Sequence, residues 1–149
     1  ARRIFVLTWK QLNHDLDRAF NRHRQLTARF DNFANIVEQQ VMAQNFHIKG
    51  IAVSKHLEQG FFTTAFALRT LHFAFTSVLD ESGMLMGNVK CYLKRELPAP
   101  ECVVIGDFEF SGNEQTTLVE PEENDPLNID NDIAALFIVL NFIHKSLAH

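Results

Sequence analysis

The sequence predicts a single α+β domain over residues 1–149, with a long N-terminal helix and an apolar C-terminal helix packed on an antiparallel β-meander of three to five strands. Three observations carry that reading. The first glycine is Gly50 and the first proline is Pro98, so 49 residues pass without either of the strong local breakers of regular structure. From Thr70 to Phe110 apolar and polar residues alternate with period two. Ile133 to Leu140 is an unbroken apolar run close to the C-terminus.

The breaker-free stretch reads as one helix from Thr8, a candidate N-cap, to near Gln44. Trp9, Leu12, Leu16, Ala19, His23, Leu26, Phe30, Phe33 and Val37 follow alternating steps of three and four, a heptad seam. With Trp9 at position a, position e adds Phe20, Ala34 and Val41, and the stripe becomes wider than a coiled-coil seam. Such a stripe suits a helix laid on a sheet. A helix of roughly 50 Å at 1.5 Å per residue is nevertheless too long for a compact domain of this size. Its far end is therefore expected to overhang into a partner.

The signals between Phe46 and Gly60 are mixed, with Ser54 able to cap a short helix, and 61–69 fits strand or helix. From Thr70 the alternation puts Leu71, Phe73, Phe75, Ser77 and Leu79 on one side. A turn at Asp80–Gly83 leads to a second strand, Met84 to Arg95, with Leu85, Gly87, Val89, Cys91 and Leu93 facing inward. A third strand follows with Cys102, Val104, Gly106, Phe108 and Phe110 inward, and Gln115–Val119 forms a short last one. Pairing Val89 with Phe108 and Leu93 with Val104 keeps apolar opposite apolar, whereas a one-residue slip would mix the faces. That register sets Cys91 opposite Gly106 and Cys102 opposite Arg95, too far apart for a disulfide. Two reduced thiols suit a cytoplasmic protein. An acidic loop, 120–132, ends at Asp130, Asn131 or Asp132 as cap of the closing helix.

Composition narrows the partners. Fourteen phenylalanines against one tryptophan and one tyrosine make the aromatic mass apolar and call for burial. No apolar run reaches the ~18–20 residues that cross a bilayer as a helix. The start, Ala1 to Leu7, places charge before apolar residues, but the run is too short for a signal peptide and no small-residue cleavage site follows. Residues 1–56 hold nine Lys/Arg and four Asp/Glu, whereas residues 57–149 hold five and fourteen. A chain polarised in this way pairs its own halves or a second copy of itself.

Several side-chain constellations bear on chemistry. Asp107-x-Glu109 with Lys90 across the hairpin are the parts of a metal-dependent nuclease site, but they are equally an exposed cross-strand ion pair. Arg18, Arg22 and Arg29 align along one flank of the long helix as a binding stripe. Overall acidity disfavours nucleic acid for that stripe, and the carboxylates of 120–132 are its expected mates. Phe73, Phe75, Phe108 and Phe110 share the inner sheet face, either as plain core or around an apolar ligand. The histidines are spaced for no metal site, His47 and His56 standing nine apart, and Asn128-x-Asp130-x-Asp132 lacks the rest of a calcium loop. His23, on the seam, is expected to be a hydrogen-bonded core histidine.

No catalytic residue, metal or cofactor is assigned. The leading expectation is a non-enzymatic interaction protein, a homodimer that assembles through its helices and binds a protein partner. A small apolar-ligand-binding domain is the alternative, and a nuclease-like enzyme comes third.

Overall fold

The computed structural model describes residues 6–43 and 48–149. The charged start, Ala1 to Phe5, and the expected helix end at Gln44 lie outside the described residues, as does His47. Helix α1 runs Trp9–Met42, followed by strands β1 (Ala52–His56), β2 (Phe61–Phe66), β3 (Arg69–Leu79), β4 (Leu85–Arg95), β5 (Glu101–Phe110), β6 (Gln115–Val119) and β7 (Pro126–Asn128), and then helix α2 (Asp132–Ser146). A single 3₁₀ turn, Leu57–Gln59, joins β1 to β2 where a short helix was expected.

The strands form one antiparallel meander in the order β1 to β7. Seven strands replace the three to five expected, and the reason is local. β1 is an edge strand exposed at four of its five positions, so no burial alternation marks it. β2 turns Phe62 and Thr64 inward, and a buried threonine breaks the apolar period. β7 has three residues and opens on Pro126, a residue tolerated only where a strand edge needs no donor.

The second half of α1 and the whole of α2 cover one face of the sheet. Rings from both helices and the sheet fill the space between the two layers: Phe30 lies 5.2 Å from Phe75, Phe33 lies 6.0 Å from Phe108, and Phe142 lies 5.9 Å from Phe73, centroid to centroid. Asn131 caps α2 by accepting from the Ala134 N–H at 3.0 Å. The apolar α2 is thereby wedged beside α1, with Ala135, Ile138, Val139, Phe142 and Ile143 buried.

Strand pairing follows the expected register for the first half of the β4–β5 hairpin and then departs from it. Val89 faces Phe108, Lys90 faces Asp107 and Cys91 faces Gly106, but Tyr92 faces Val104 and Leu93 faces Val103. Ile105 is the extra residue of a β-bulge. Beyond it the parity of β5 inverts: Val104 is 55% exposed and Ile105 4%, and Cys102 stands outside opposite Lys94. The expected inward row of Cys102 and Val104 is thus corrected to Val103 and Ile105. The bulge sits where α2 crosses, and a Cβ on Gly106 would stand 2.7 Å from the Phe142 ring, so only glycine leaves room for that ring.

Candidate interaction surface

The two halves of α1 have different surroundings. A capping box starts the helix: Gln11 N–H donates to Thr8 Oγ1 at 3.2 Å, and Thr8 N–H donates to Gln11 Oε1 at 3.0 Å. From Leu26 onward the seam is sealed against the sheet, with Leu26, Phe33 and Val37 fully buried. Polar contacts anchor the helix at and beyond its middle. Arg22 Nε donates to Leu85 O at 3.3 Å, and its guanidinium lies against Gly112. His23 Nδ1 lies 2.5 Å from Ser77 Oγ, with the imidazole stacked on Phe75. Arg29 forms an ion pair with Glu114. Near the helix end, Lys55 bridges to Glu38 at 3.1 Å and Asn35 at 2.8 Å.

Below Arg22 the helix continues for three and a half turns, and the described residues give it no hydrogen bond or ion pair to the rest of the chain. On this overhang the seam keeps its apolar residues, yet Trp9 is 82% exposed, Leu16 64% and Phe20 60%. Val6 and Leu7, just before the cap, are exposed as well. Leu79, two residues past Ser77 on the same strand, and Met84 at the far side of that turn are also exposed, so the apolar surface continues onto the β3–β4 hairpin.

The residues singled out in the sequence separate accordingly. Arg18 lies exposed on the overhang, while Arg22 and Arg29 are held by Leu85, Gly112 and Glu114. Glu114 lies outside the acidic segment expected to receive the stripe; from that segment Asp130 instead accepts from Asn32. Phe73, Phe75, Phe108 and Phe110 are brought together on the inner face, 0–8% exposed, against Phe30, Phe33, Phe62 and Phe142. An open groove of about 520 Å³ lies elsewhere, lined by Leu68, Arg69, Lys94, Arg95, Leu97 and others at one end of the sheet. Arg69 there donates to Ser146 O and His149 O, both at 2.8 Å, satisfying carbonyls at the end of α2.

Asp107 and Lys90 are paired in register, but Asp107 Oδ2 accepts from Asn88 Nδ2 at 3.1 Å, and the lysine makes no ion pair among the described residues. Among the same residues no group of three His, Cys, Asp or Glu side chains converges for a metal. None of the described helices is long and apolar enough to cross a membrane.

Sequence reasoning missed an aromatic ladder on the open sheet face. Phe61 stacks between His56, 4.8 Å away, and His72, 5.4 Å away. Burial, with Lys94 and His56 nearby, holds the His72 pKa below the ordinary histidine value. The signal was present in the spacing of His56, Phe61 and His72, but it becomes a ladder only once β1 and β2 are known to be strands.

Compared with known protein families, curated proteins and solved structures, the chain matches none of them.

Proposed function

We propose that the protein is a non-enzymatic interaction protein that works as a cytoplasmic homodimer and binds a protein partner, with the overhanging half of α1 as its assembly surface. The observation that carries this is the exposure of Trp9 and Leu16 on the same seam that seals the core from Leu26 onward, with Phe20 exposed beside them on the wider stripe. A stripe that is core in one half of a helix has the chemistry to be core in the other half, and burial of each large apolar side chain contributes ~1.5–3 kcal/mol. A helix segment of this length whose large apolar side chains stand in water is marginal on its own, so a covering partner stabilises it as well.

The exposed carboxylates Glu122, Glu123, Asp125 and Asp132, around β7 and the start of α2, form an acidic region suited to a basic protein surface. A buried Cys91 and an unpaired Cys102 suit a reducing compartment.

Light scattering on the eluting protein tests the assembly. A dimer mass is expected, with Leu16→Lys shifting it to the monomer. In a two-fold dimer the substitution counts twice, which corresponds to a Kd weakened by roughly 10²–10⁴-fold. A wild-type chain that stays monomeric at all concentrations would refute the reading.

A further inference from the structure

We infer that the surface is covered by a second copy of the chain whose overhang lies antiparallel on the first; the inference rests on the assembly reading above. The orientation follows from where the sheet sits. From His23 to Val37 the a and d seam faces the sheet of its own chain, with Leu26, Phe30, Phe33 and Val37 at 0–1% exposure. A second helix running parallel along the same seam would have to pass through the space that β3, β4 and β5 occupy. An antiparallel helix has no such obstacle, because α1 starts at Trp9 and the helix–helix overlap therefore ends before the sheet begins.

The overlap has a preferred register. Antiparallel helices interleave position a of one with position d of the other. Placing Leu12 on Leu16 of the second copy also places Trp9 on Ala19 of the second copy, and two-fold symmetry repeats both layers. The largest side chain of the seam then meets the smallest, which is how facing positions interdigitate without a void. The same register brings Val6 and Leu7 level with Arg22 of the second copy. In each chain Arg22 is bonded to Leu85 O, beside the exposed Met84. The exposed hairpin residues Met84 and Leu79 thereby acquire apolar neighbours.

Shifting the register one heptad deeper would set Trp9 against Leu26, which is already sealed in the core. The exposed apolar side chains of the overhang and hairpin together offer roughly 800 Å² per copy, the share of each partner in a standard-sized interface.

Disulfide trapping tests the arrangement. In a Cys102→Ser background, Leu12→Cys and Leu16→Cys chains are prepared singly and as an equimolar mixture, then oxidised. Circular dichroism checks that each variant is folded, as expected for substitutions outside the sealed core, at exposed Leu16 and half-buried Leu12. The antiparallel register predicts at least ten-fold more cross-linked dimer in the mixture than in either chain alone, because residue 12 faces residue 16. Efficient cross-linking of the single-site chains would overturn the antiparallel arrangement and leave assembly through this surface standing. No cross-link in any sample, with a monomer mass by light scattering, would overturn both.

Discussion

Leu16 and Phe30 occupy the same heptad position of α1, two repeats apart, yet Leu16 is 64% exposed and Phe30 1%. Phe30 lies among Phe33, Phe62 and Phe75, with centroids 5.2–6.3 Å away, whereas Leu16 lies beyond the last anchors of the helix. Truncation should separate the two. Phe30→Ala is expected to cost ~3–5 kcal/mol in urea unfolding through lost burial and a cavity. Leu16→Ala should cost under ~0.5 kcal/mol in protein dilute enough to be monomeric, and should act only on the concentration dependence of the mass.

Two glycines should respond differently to an added methyl group. A Cβ on Gly87 would stand 2.3 Å from the Phe110 ring, which lies fully buried over it from the paired strand. Gly87→Ala is therefore expected to destabilise by ~1–3 kcal/mol or more. The atoms nearest a Cβ on Gly112 all belong to the Arg22 guanidinium, the closest at 2.5 Å, the far end of a flexible side chain. Gly112→Ala should cost much less, and thermal melts of the two variants side by side would check the order.

The turn between β2 and β3 is a two-residue loop in which both Ala67 (φ 51°) and Leu68 (φ 64°) are left-handed. That geometry favours Asn-Gly, and a branched residue there is strained by ~1–2 kcal/mol. Leu68 is also fully exposed, so its side chain returns nothing to the fold. Replacing the pair by Asn-Gly is expected to raise stability by ~1 kcal/mol, read as a higher urea midpoint with unchanged slope.

The two thiols should differ in reactivity. Burial pushes the Cys91 thiol up to about 12, whereas Cys102 is exposed on the outer face of β5. At pH 8 only about one Cys91 in ten thousand is then a thiolate, the reactive form. Native protein should release one equivalent of colour with a thiol reagent within minutes and the second only on unfolding. Cys102→Ser should abolish the fast equivalent.

His72 gives the stability curve one acid-side leg. Its folded pKa is lowered by burial and by Lys94 and His56, so between about 6.5 and that lower value the unfolded chain binds more protons than the native one. Stability contributed through His72 is level above pH 6.5 and falls as the pH drops through this window. Urea midpoints at pH 7.5, 6.5 and 5.5 should decline less in His72→Gln than in the wild type.

Much of the fold was legible because its signals are local. The Thr8 cap, the unbroken first helix, the β3 and β4 faces and a cap for α2 among Asp130, Asn131 and Asp132 each follow from a few neighbouring residues. The Ile105 bulge was not legible. An extra residue leaves the alternation of β5 plausible in either parity, and only the crossing of α2 over Gly106 makes the inversion favourable. The strands β1 and β7 escaped for a related reason: edge strands are exposed on both faces or very short, so burial leaves no period in them.

The sequence by itself determined the periodicities: which residues can share a helix stripe or a strand face, and that the first helix is longer than a small domain can cover. The tertiary structure alone decided where coverage stops. Trp9, Leu16 and Phe30 carry the same pattern, and pattern specifies a face, whereas burial depends on whether another element reaches it. Among the described residues, the hydrogen bonds from the sheet to α1 stop at Arg22 and His23. That boundary separates the core half of the helix from the half proposed for assembly.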